Sequence, residues 1–244
     1  MNRQPIFNEA SRQKQAQTNV IILCGGLGTR LRAAVPDCPK VLASVQDTAF
    51  LDILLAYVKD QGFSRIILSI GYRGDMVKAH LKNDTSLLFS EEDRPLGTGG
   101  ALKKAFKFVH SEHCLVMNGD TFCPVDLFRL VNFHEQKKAV ISMVLGTYNR
   151  PDAGGVTIDT EKRIRSFQEK TARGFLNAGI YVFKQSAIDF LPAGDIFSLE
   201  NDVFPSFIQK HPCFGWVTEE DVIDIGTSDR YVFAQRQLIK YLPT

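Results

Sequence analysis

The sequence predicts a single α/β domain built on a mixed, mainly parallel sheet with helices on both faces. Three observations carry that expectation. Unbroken apolar runs of strand length, VIILC from Val20 and RIILSIGY from Arg65, alternate with segments of helical period through about residue 125. Such runs mark parallel strands covered on both faces. The second half then strings together strand-like runs separated by short polar turns, so antiparallel pairs should join the sheet. Finally, 244 residues with 44% hydrophobic and 23% charged side chains suffice for one sizeable core.

Taken in order, residues 1–18 show almost no apolar periodicity and are expected to form a flexible tail, leaving 19–244 as the folded domain. The first strand starts at Val20 and stops at Gly25-Gly26. In LDILLAYVKDQGF, the spacing of Leu51, Leu54, Leu55 and Val58 predicts a helix, and Gly62 punctuates its end. RIILSIGY is the next strand; MVKAHL and ALKKAFKFV are short helices, and HCLVM is a strand. AVISMVLGTY, GGVTID, RIRSFQEK and FLNAGIYVFK follow as strands, the last two facing each other as a hairpin. Helical stretches near 187–191 and 201–208 precede strands at WVT and DVIDIG. A final helix over about 228–241 takes Thr227 or Ser228 as its N-cap, with Asp229 favourable in the first turn.

Composition narrows the functional classes. Twenty-nine basic against 27 acidic residues leave a net charge of +2, which gives no global reason to expect nucleic acid or a membrane surface as partner. No apolar run approaches the roughly 18 residues of a membrane span, and the polar N-terminus lacks a secretion signal, so a soluble cytoplasmic protein is expected. Five scattered cysteines with no CxxC pair read as reduced, mostly buried thiols. His110 and His113, in the polar HSEH stretch, are expected at the surface and have no zinc-ligand set at the usual spacing. No hexapeptide repeat is visible, so no appended β-helical acyltransferase is expected.

The strongest local signal is Leu23-Cys24-Gly25-Gly26-Leu27-Gly28-Thr29-Arg30-Leu31-Arg32, directly after the first strand. Glycines let the backbone approach an anion and aim N–H groups at it, while Arg30 and Arg32 add charge. It is not a Walker A loop, since no Gly-Lys-Ser/Thr follows. Leu31 stands where a dinucleotide fingerprint needs its third glycine. Read alone, the segment is either a phosphate cradle or a tight strand-to-loop turn. Pro39 fixes the approach to Lys40, whose compact ammonium suits a phosphate oxygen, and pairing with the glycine loop would bring Arg30, Arg32 and Lys40 to one sheet edge.

The second glycine segment, Pro95-Leu96-Gly97-Thr98-Gly99-Gly100-Ala101, opens a helix: either a strained N-terminal turn or a surface against which a base can lie. Val116-Met117-Asn118-Gly119-Asp120 runs an apolar strand into a carboxylate. Ligands of open α/β sheets gather outside the carboxyl ends of strands, so Asp120 is either a Mg²⁺ ligand there or a cap on the next turn. Asp224, among β-branched residues, is the parallel case, and the two aspartates could share one metal. Glu169-Lys170 and Asn177-Ala178-Gly179 offer a carboxylate, an ammonium and an amide that suit a polyhydroxylated phosphate ligand; a cross-strand salt bridge is the alternative.

In this order the segments resemble the sugar-nucleotide pyrophosphorylases, the nucleoside-triphosphate:sugar-1-phosphate nucleotidyltransferases. LCGGLGTRLR, VPDCPKVLA, ILSIGYRGD, EEDRPLGTGGA, NGDTF, FLNAGIYVF and DIGTSDRY carry the likeness, from about Val20 to Tyr241. It implies a Rossmann-like three-layer sandwich in one domain. It also implies that Gly25, Gly26, Gly28, Thr29 and Arg30 hold the triphosphate beside Leu23 and Gly119, with Arg30 on the β and γ phosphates. Lys40 would meet the transferred α-phosphate. Gly97 and Thr98 would lie against the base and Glu92 would read its edge. Asp120 and Asp224 would coordinate Mg²⁺. Gly155, Glu169, Lys170, Asn177 and Gly179 would hold the sugar 1-phosphate, a heptose phosphate by the overall likeness. Val41, Cys24 and Thr171 depart from the family pattern without removing a charge.

The chemistry fits such residues. A phosphomonoester has its second pKa near ~6, so the sugar phosphate is already a nucleophile at neutral pH. Neutralising and positioning two polyanions is what remains to be done. A carboxylate at Glu92, or at Glu91 or Asp93 in a shifted register, can accept both N1–H and N2–H₂ of guanine, which favours GTP over UTP or dTTP. A glycosyltransferase on a similar fold would carry Asp-x-Asp, whereas Thr121-Phe122 follows Asp120. A non-catalytic sensor would have lost Lys40, Asp120 or Asp224, and all are present.

Overall fold

Apolar runs become strands and periodic runs become helices much as the pattern dictates. The computed structural model describes residues 9–243 apart from 27, 29, 32–34, 36, 37, 149 and 172, and only the backbone of 10–12. Helix α1 (Glu9–Gln17) leads into β1 (Asn19–Leu23). After a 3-10 turn at Lys40–Leu42 come the ribbon β2 (Ser44–Val45) and β3 (Thr48–Ala49), then α2 (Phe50–Asp60) and β4 (Arg65–Ile70). Next are α3 (Gly74–His80), β5 (Leu88–Glu91), α4 (Gly97–Ala105), β6 (His113–Asn118) and β7 (Thr121–Phe122). Helix α5 (Leu127–Gln136) precedes β8 (Ile141–Gly146), β9 (Gly155–Ile158), β10 (Ile164–Gln168) and β11 (Phe175–Lys184). A π-helical turn at Leu199–Val203 opens α6 (Phe204–Lys210), and β12 (Cys213–Thr218), β13 (Ile223–Asp224) and α7 (Ser228–Gln237) finish the chain.

The sheet places β5, β4, β1 and β6 side by side and parallel. β11 then runs against both β6 and β8, and β12 pairs parallel to β8. Because successive side chains of a strand alternate faces, the apolar runs feed two cores. Val20, Ile22, Leu68, Met117 and Val182 point into one, with α2, α5 and α7. Ile21, Ile67, Val116, Tyr181 and Phe183 point into the other, with α4 and α6. The result is the expected three-layer sandwich around a mixed, mainly parallel sheet. Helix α2 buries Leu51, Leu54, Leu55 and Val58 as its spacing predicts, and Thr227 caps α7 by accepting from Arg230 N. Among the described residues no helix is long and apolar enough to cross a membrane, and the five cysteines are free thiols, four of them buried.

Three expectations are corrected. The tail expected over 1–18 is helical from Glu9 to Gln17, while residues 1–8 lie outside the described residues. Polar contacts hold α1: Lys14 bridges to Glu135 and donates to Asn132 (3.2 Å), and Gln15 is buried. An apolar-period search cannot see a helix held that way. Second, β10 and β11 are not hairpin partners, because β9 lies between them, pairing with β11 at Phe175 and Leu176 and with β10 on its other edge. Third, His113 is not a surface residue. Its ring packs edge-on against His134 at 4.9 Å, and burial lowers its pKa.

His134 is fully buried on α5, with Nδ1 3.0 Å from Ser142 Oγ, and burial pushes its pKa down to about 3. The unfolded imidazole titrates near 6.5. Below that pH the unfolded chain gains a proton that the folded chain refuses, so this contribution to stability is complete above pH 6.5 and is lost as pH falls toward 3. Urea unfolding should show stability dropping by up to about 1.4 kcal/mol per pH unit per histidine between pH 6.5 and 5, a slope that His134→Gln lessens. A wild-type stability flat across that range would contradict it.

Candidate active site

The carboxyl ends of β1, β4 and β6 finish level, with Leu23 opposite both Ser69 and Asn118. Beyond them opens a cleft of about 440 Å³, a size typical of small-ligand sites. Leu23, Gly25, Gly26, Gly28, Arg30, Lys40, Glu92, Gly97, Thr98 and Asp120 line it, with Asn118 and Gly226. Thus the glycine loop, the lysine after proline, the second glycine segment and the strand-end aspartate meet at one place. Thr29 and Arg32 lie outside the described residues.

Local backbone explains the meeting. Gly28 has φ +58°, and a Cβ there would press to 3.2 Å from Lys40 Cβ, so the loop closes onto Lys40 only through glycine. Gly119 N donates to Leu23 O (2.9 Å), and a Cβ on Gly119 would lie 2.7 Å from that same oxygen. This contact folds Asp120 back beside β1. Pro39 leads straight into the 3-10 turn that presents Lys40.

Lys40 Nζ forms an ion pair with Asp120 Oδ2, and Thr121 Oγ1 donates to Asp120 Oδ1 at 3.0 Å. Burial opposes ionisation of Asp120, but the Lys40 ammonium and these two hydrogen bonds prevail and hold its carboxyl below the usual range. A third of the Asp120 side chain stays exposed (34%), so a ligand can still reach it. Cys24, also in the cleft, has its thiol pushed up by burial and by Asp120. It is a neutral wall, not a nucleophile.

Glu92 is half-buried. Its Oε2 accepts from Leu96 N (3.0 Å), and its Oε1 lies where a Cβ on Gly25 would sit, so Gly25 makes room for it. Burial raises its pKa, partly offset by the Leu96 N–H and by Lys104. The second glycine segment has a structural use too. Gly99 N and Gly100 N both donate to Phe197 O (3.0 and 3.2 Å), and a Cβ on Gly100 would come within 1.9 Å of Asp195 O. Gly97 and Thr98 still face the cleft.

The residues expected to hold the sugar phosphate form a second group. Asn177 Oδ1 accepts from Gly179 N (3.2 Å), and its Nδ2 donates to the buried Tyr181 hydroxyl (2.8 Å). Gly179, at φ +68°, packs on Asn118, where a Cβ would lie 2.7 Å from Nδ2. A Cβ on Gly154 would be 3.1 Å from Glu169 Oε2, and the neighbouring Gly155 is buried in the β9 ladder opposite Gln168. Burial and nearby Glu200 raise the Glu169 pKa, against Lys170 and Arg30. Lys170 is exposed on a left-handed turn, φ +56°.

Sequence reasoning missed four polar residues. Glu200 accepts from Thr98 Oγ1 (2.6 Å) and Ser198 Oγ (2.8 Å) and so links the two groups. Asn118 Oδ1 is buried without a hydrogen-bond partner at the cleft wall. Arg150 and Arg230 both bind Asp224, at 2.6 and 3.0 Å. Only Asn118 had a signal, the strand end it shares with Asp120.

Asp224 sits beside Asp120 because β13 pairs with β7, Asp224 opposite Thr121, and Ile225 N donates to Asp120 O at 3.0 Å. Two adjacent carboxylates offer hard oxygen donors, the set a divalent cation takes when phosphates complete its shell, and three cationic side chains now occupy them. That donor set is of the kind a divalent metal takes, with Asp120 and Asp224 as the residues that would hold it. Among the described residues no three such ligands cluster, so a metal here needs oxygens from its substrate.

A glycine-walled cleft with paired cations and carboxylates at parallel strand ends has the form that phosphate-binding sites take in α/β folds. The chain belongs to the nucleotidyl transferase family, whose model matches residues 19–240. It is 34% identical to the D-glycero-α-D-manno-heptose 1-phosphate guanylyltransferase of Aneurinibacillus thermoaerophilus, over 91% of this chain and 99% of that one. The enzyme of the same name from Campylobacter jejuni is also 34% identical, over 86% of this chain and 96% of its own length. The crystal structure of HddC from Yersinia pseudotuberculosis superposes with a TM-score of 0.81 at 33% identity, covering 91% of this chain and 99% of HddC. HddC has also been solved in complex with GMP-PN, with the same TM-score.

Proposed function

We propose that this enzyme transfers GMP from GTP to D-glycero-α-D-manno-heptose 1-phosphate, releasing pyrophosphate and forming a GDP-activated heptose for surface glycan synthesis in the cytoplasm. The observation that carries the reading is the Lys40–Asp120 pair in a cleft walled by the glycine loop. Supporting it, the relatives of that name match this chain along almost their whole length.

Arg30 and the loop amides at Gly25, Gly26 and Gly28, beside Leu23 and Gly119, would hold the triphosphate, with Thr29 on the same loop. Gly97 and Thr98 would carry the base and Glu92 would read guanine N1–H and N2–H₂. Glu169, Lys170, Asn177 and Gly179 would orient the sugar phosphate, with Gly155 fixing the ribbon beneath. Its dianionic oxygen attacks the α-phosphorus, the bond to the β-phosphate oxygen breaks, and pyrophosphate leaves in line. Lys40 neutralises charge on the α-phosphate and Arg30 on the leaving group. Asp120 and Asp224 would hold Mg²⁺, which when bound screens the phosphate charges against one another. No proton must be removed from the nucleophile, consistent with a cleft whose one thiol is neutral.

The test is pyrophosphate release with GTP, ATP, UTP and dTTP against heptose, mannose and glucose 1-phosphates, with Mg²⁺ and with EDTA. GTP with the heptose phosphate should turn over fastest, and EDTA should abolish the reaction. UTP or dTTP turned over faster than GTP would refute the assignment of the base.

A further inference from the structure

Asp224 is 8% exposed, and both of its oxygens are taken. Oδ1 accepts from Gly226 N (2.8 Å) and Arg230 Nη1 (3.0 Å), and Oδ2 accepts from Arg150 Nη2 (2.6 Å). Arg230 comes from α7 and Arg150 from the loop after β8. The two are tied together, since Arg230 also bridges to Asp152, two residues beyond Arg150. Asp120 is held less completely, by one ammonium and a neutral hydroxyl.

We propose that Arg150 and Arg230 form a guanidinium latch on Asp224, which keeps a divalent cation off this carboxylate until the triphosphate arrives. The proposal rests on the reading of Asp224 as a metal-holding residue. A cation approaching the closed latch meets two like charges at contact distance and must displace a charge-assisted hydrogen bond. A polyanionic triphosphate reverses the balance, because its oxygens give the released guanidiniums new acceptors. Nucleotide and metal would therefore enter together, and the Arg230–Asp152 tie would make α7 and the Arg150–Asp152 segment respond as one.

The experiment titrates Mn²⁺ into nucleotide-free protein and reads free Mn²⁺ by electron paramagnetic resonance. Charged hydrogen bonds of the usual size predict that Arg150→Gln and Arg230→Gln each tighten Mn²⁺ binding about tenfold. Adding Asp224→Asn to Arg230→Gln should erase the gain. Arg230→Lys keeps the like charge and a charged donor for Asp224, so it should leave Mn²⁺ binding near that of wild type. Unchanged or weaker Mn²⁺ binding in the glutamine variants would overturn the latch, as would Arg230→Lys binding Mn²⁺ as tightly as Arg230→Gln. Thermal melts accompany each variant. If one fails to fold, the other reads the same quantity; if neither folds, the arginines are props of the site and the proposal fails. The underlying reading fails separately, if Asp224→Asn loaded with a non-hydrolysable GTP analogue binds Mn²⁺ as tightly as wild type.

Discussion

Lys40→Ala should lower kcat by on the order of 10²-fold or more while the protein still folds. The side chain is 12% exposed, lies against the loop that Gly28 closes, and pairs through its tip with Asp120. On the proposed reading its removal deletes a preorganised positive charge at the transferring phosphate. A second readout separates this from a structural defect. Lys40 is what keeps the Asp120 carboxyl below its usual range against burial. Without Lys40 that pKa must climb, so the acid limb of the rate profile should move to higher pH in the variant. Lys40→Arg, which restores the charge, should return the limb toward its wild-type position. A Lys40→Ala enzyme within threefold of wild-type kcat would remove this residue from the chemistry.

Asp120→Asn should cost at least as much and should also change the response to metal. The amide keeps the shape and can still accept from Thr121, but it loses the negative charge that pairs with Lys40 and that a divalent cation would take. Turnover should fall on the order of 10²-fold or more, and the Mg²⁺ concentration for half-maximal rate should rise. Because the two side chains are bonded to each other, the double variant should lose far less than the product of the single losses. Steady-state kinetics over a Mg²⁺ series measure both effects. An Asp120→Asn enzyme with an unchanged metal requirement would assign the metal elsewhere.

These two residues were legible in the sequence because glycines punctuate the backbone around them. A strand that stops at Gly25-Gly26, and another that runs into Gly119-Asp120, put chemistry at strand ends, where α/β sheets bind ligands. The parallel half was legible for a related reason: a strand covered on both faces leaves an unbroken apolar run. β5 escaped notice because it is an edge strand with Leu88 exposed. Helix α1 escaped because its contacts are polar. The order β10-β9-β11 is fixed by pairing between distant segments, which no local pattern encodes. Arg150, Arg230 and Glu200 lie in polar stretches where a charged residue is unremarkable, and only the fold shows that they converge.

The way β9 is hung from the sheet has a consequence for how this scaffold diversifies. Its ladder to β11 is confined to Phe175 and Leu176, whereas β1, β4 and β6 are knit along their full length. On the proposed reading, the donor residues sit at the ends of fully paired strands, Asn177 and Gly179 sit on β11 within the main sheet, and Glu169 and Lys170 follow β10 on the short ladder. Drift in that ladder would then alter the Glu169 and Lys170 side of the acceptor site and leave the donor cleft in place. Exchanging residues 150–174 between family members would show whether this segment sets which sugar is accepted.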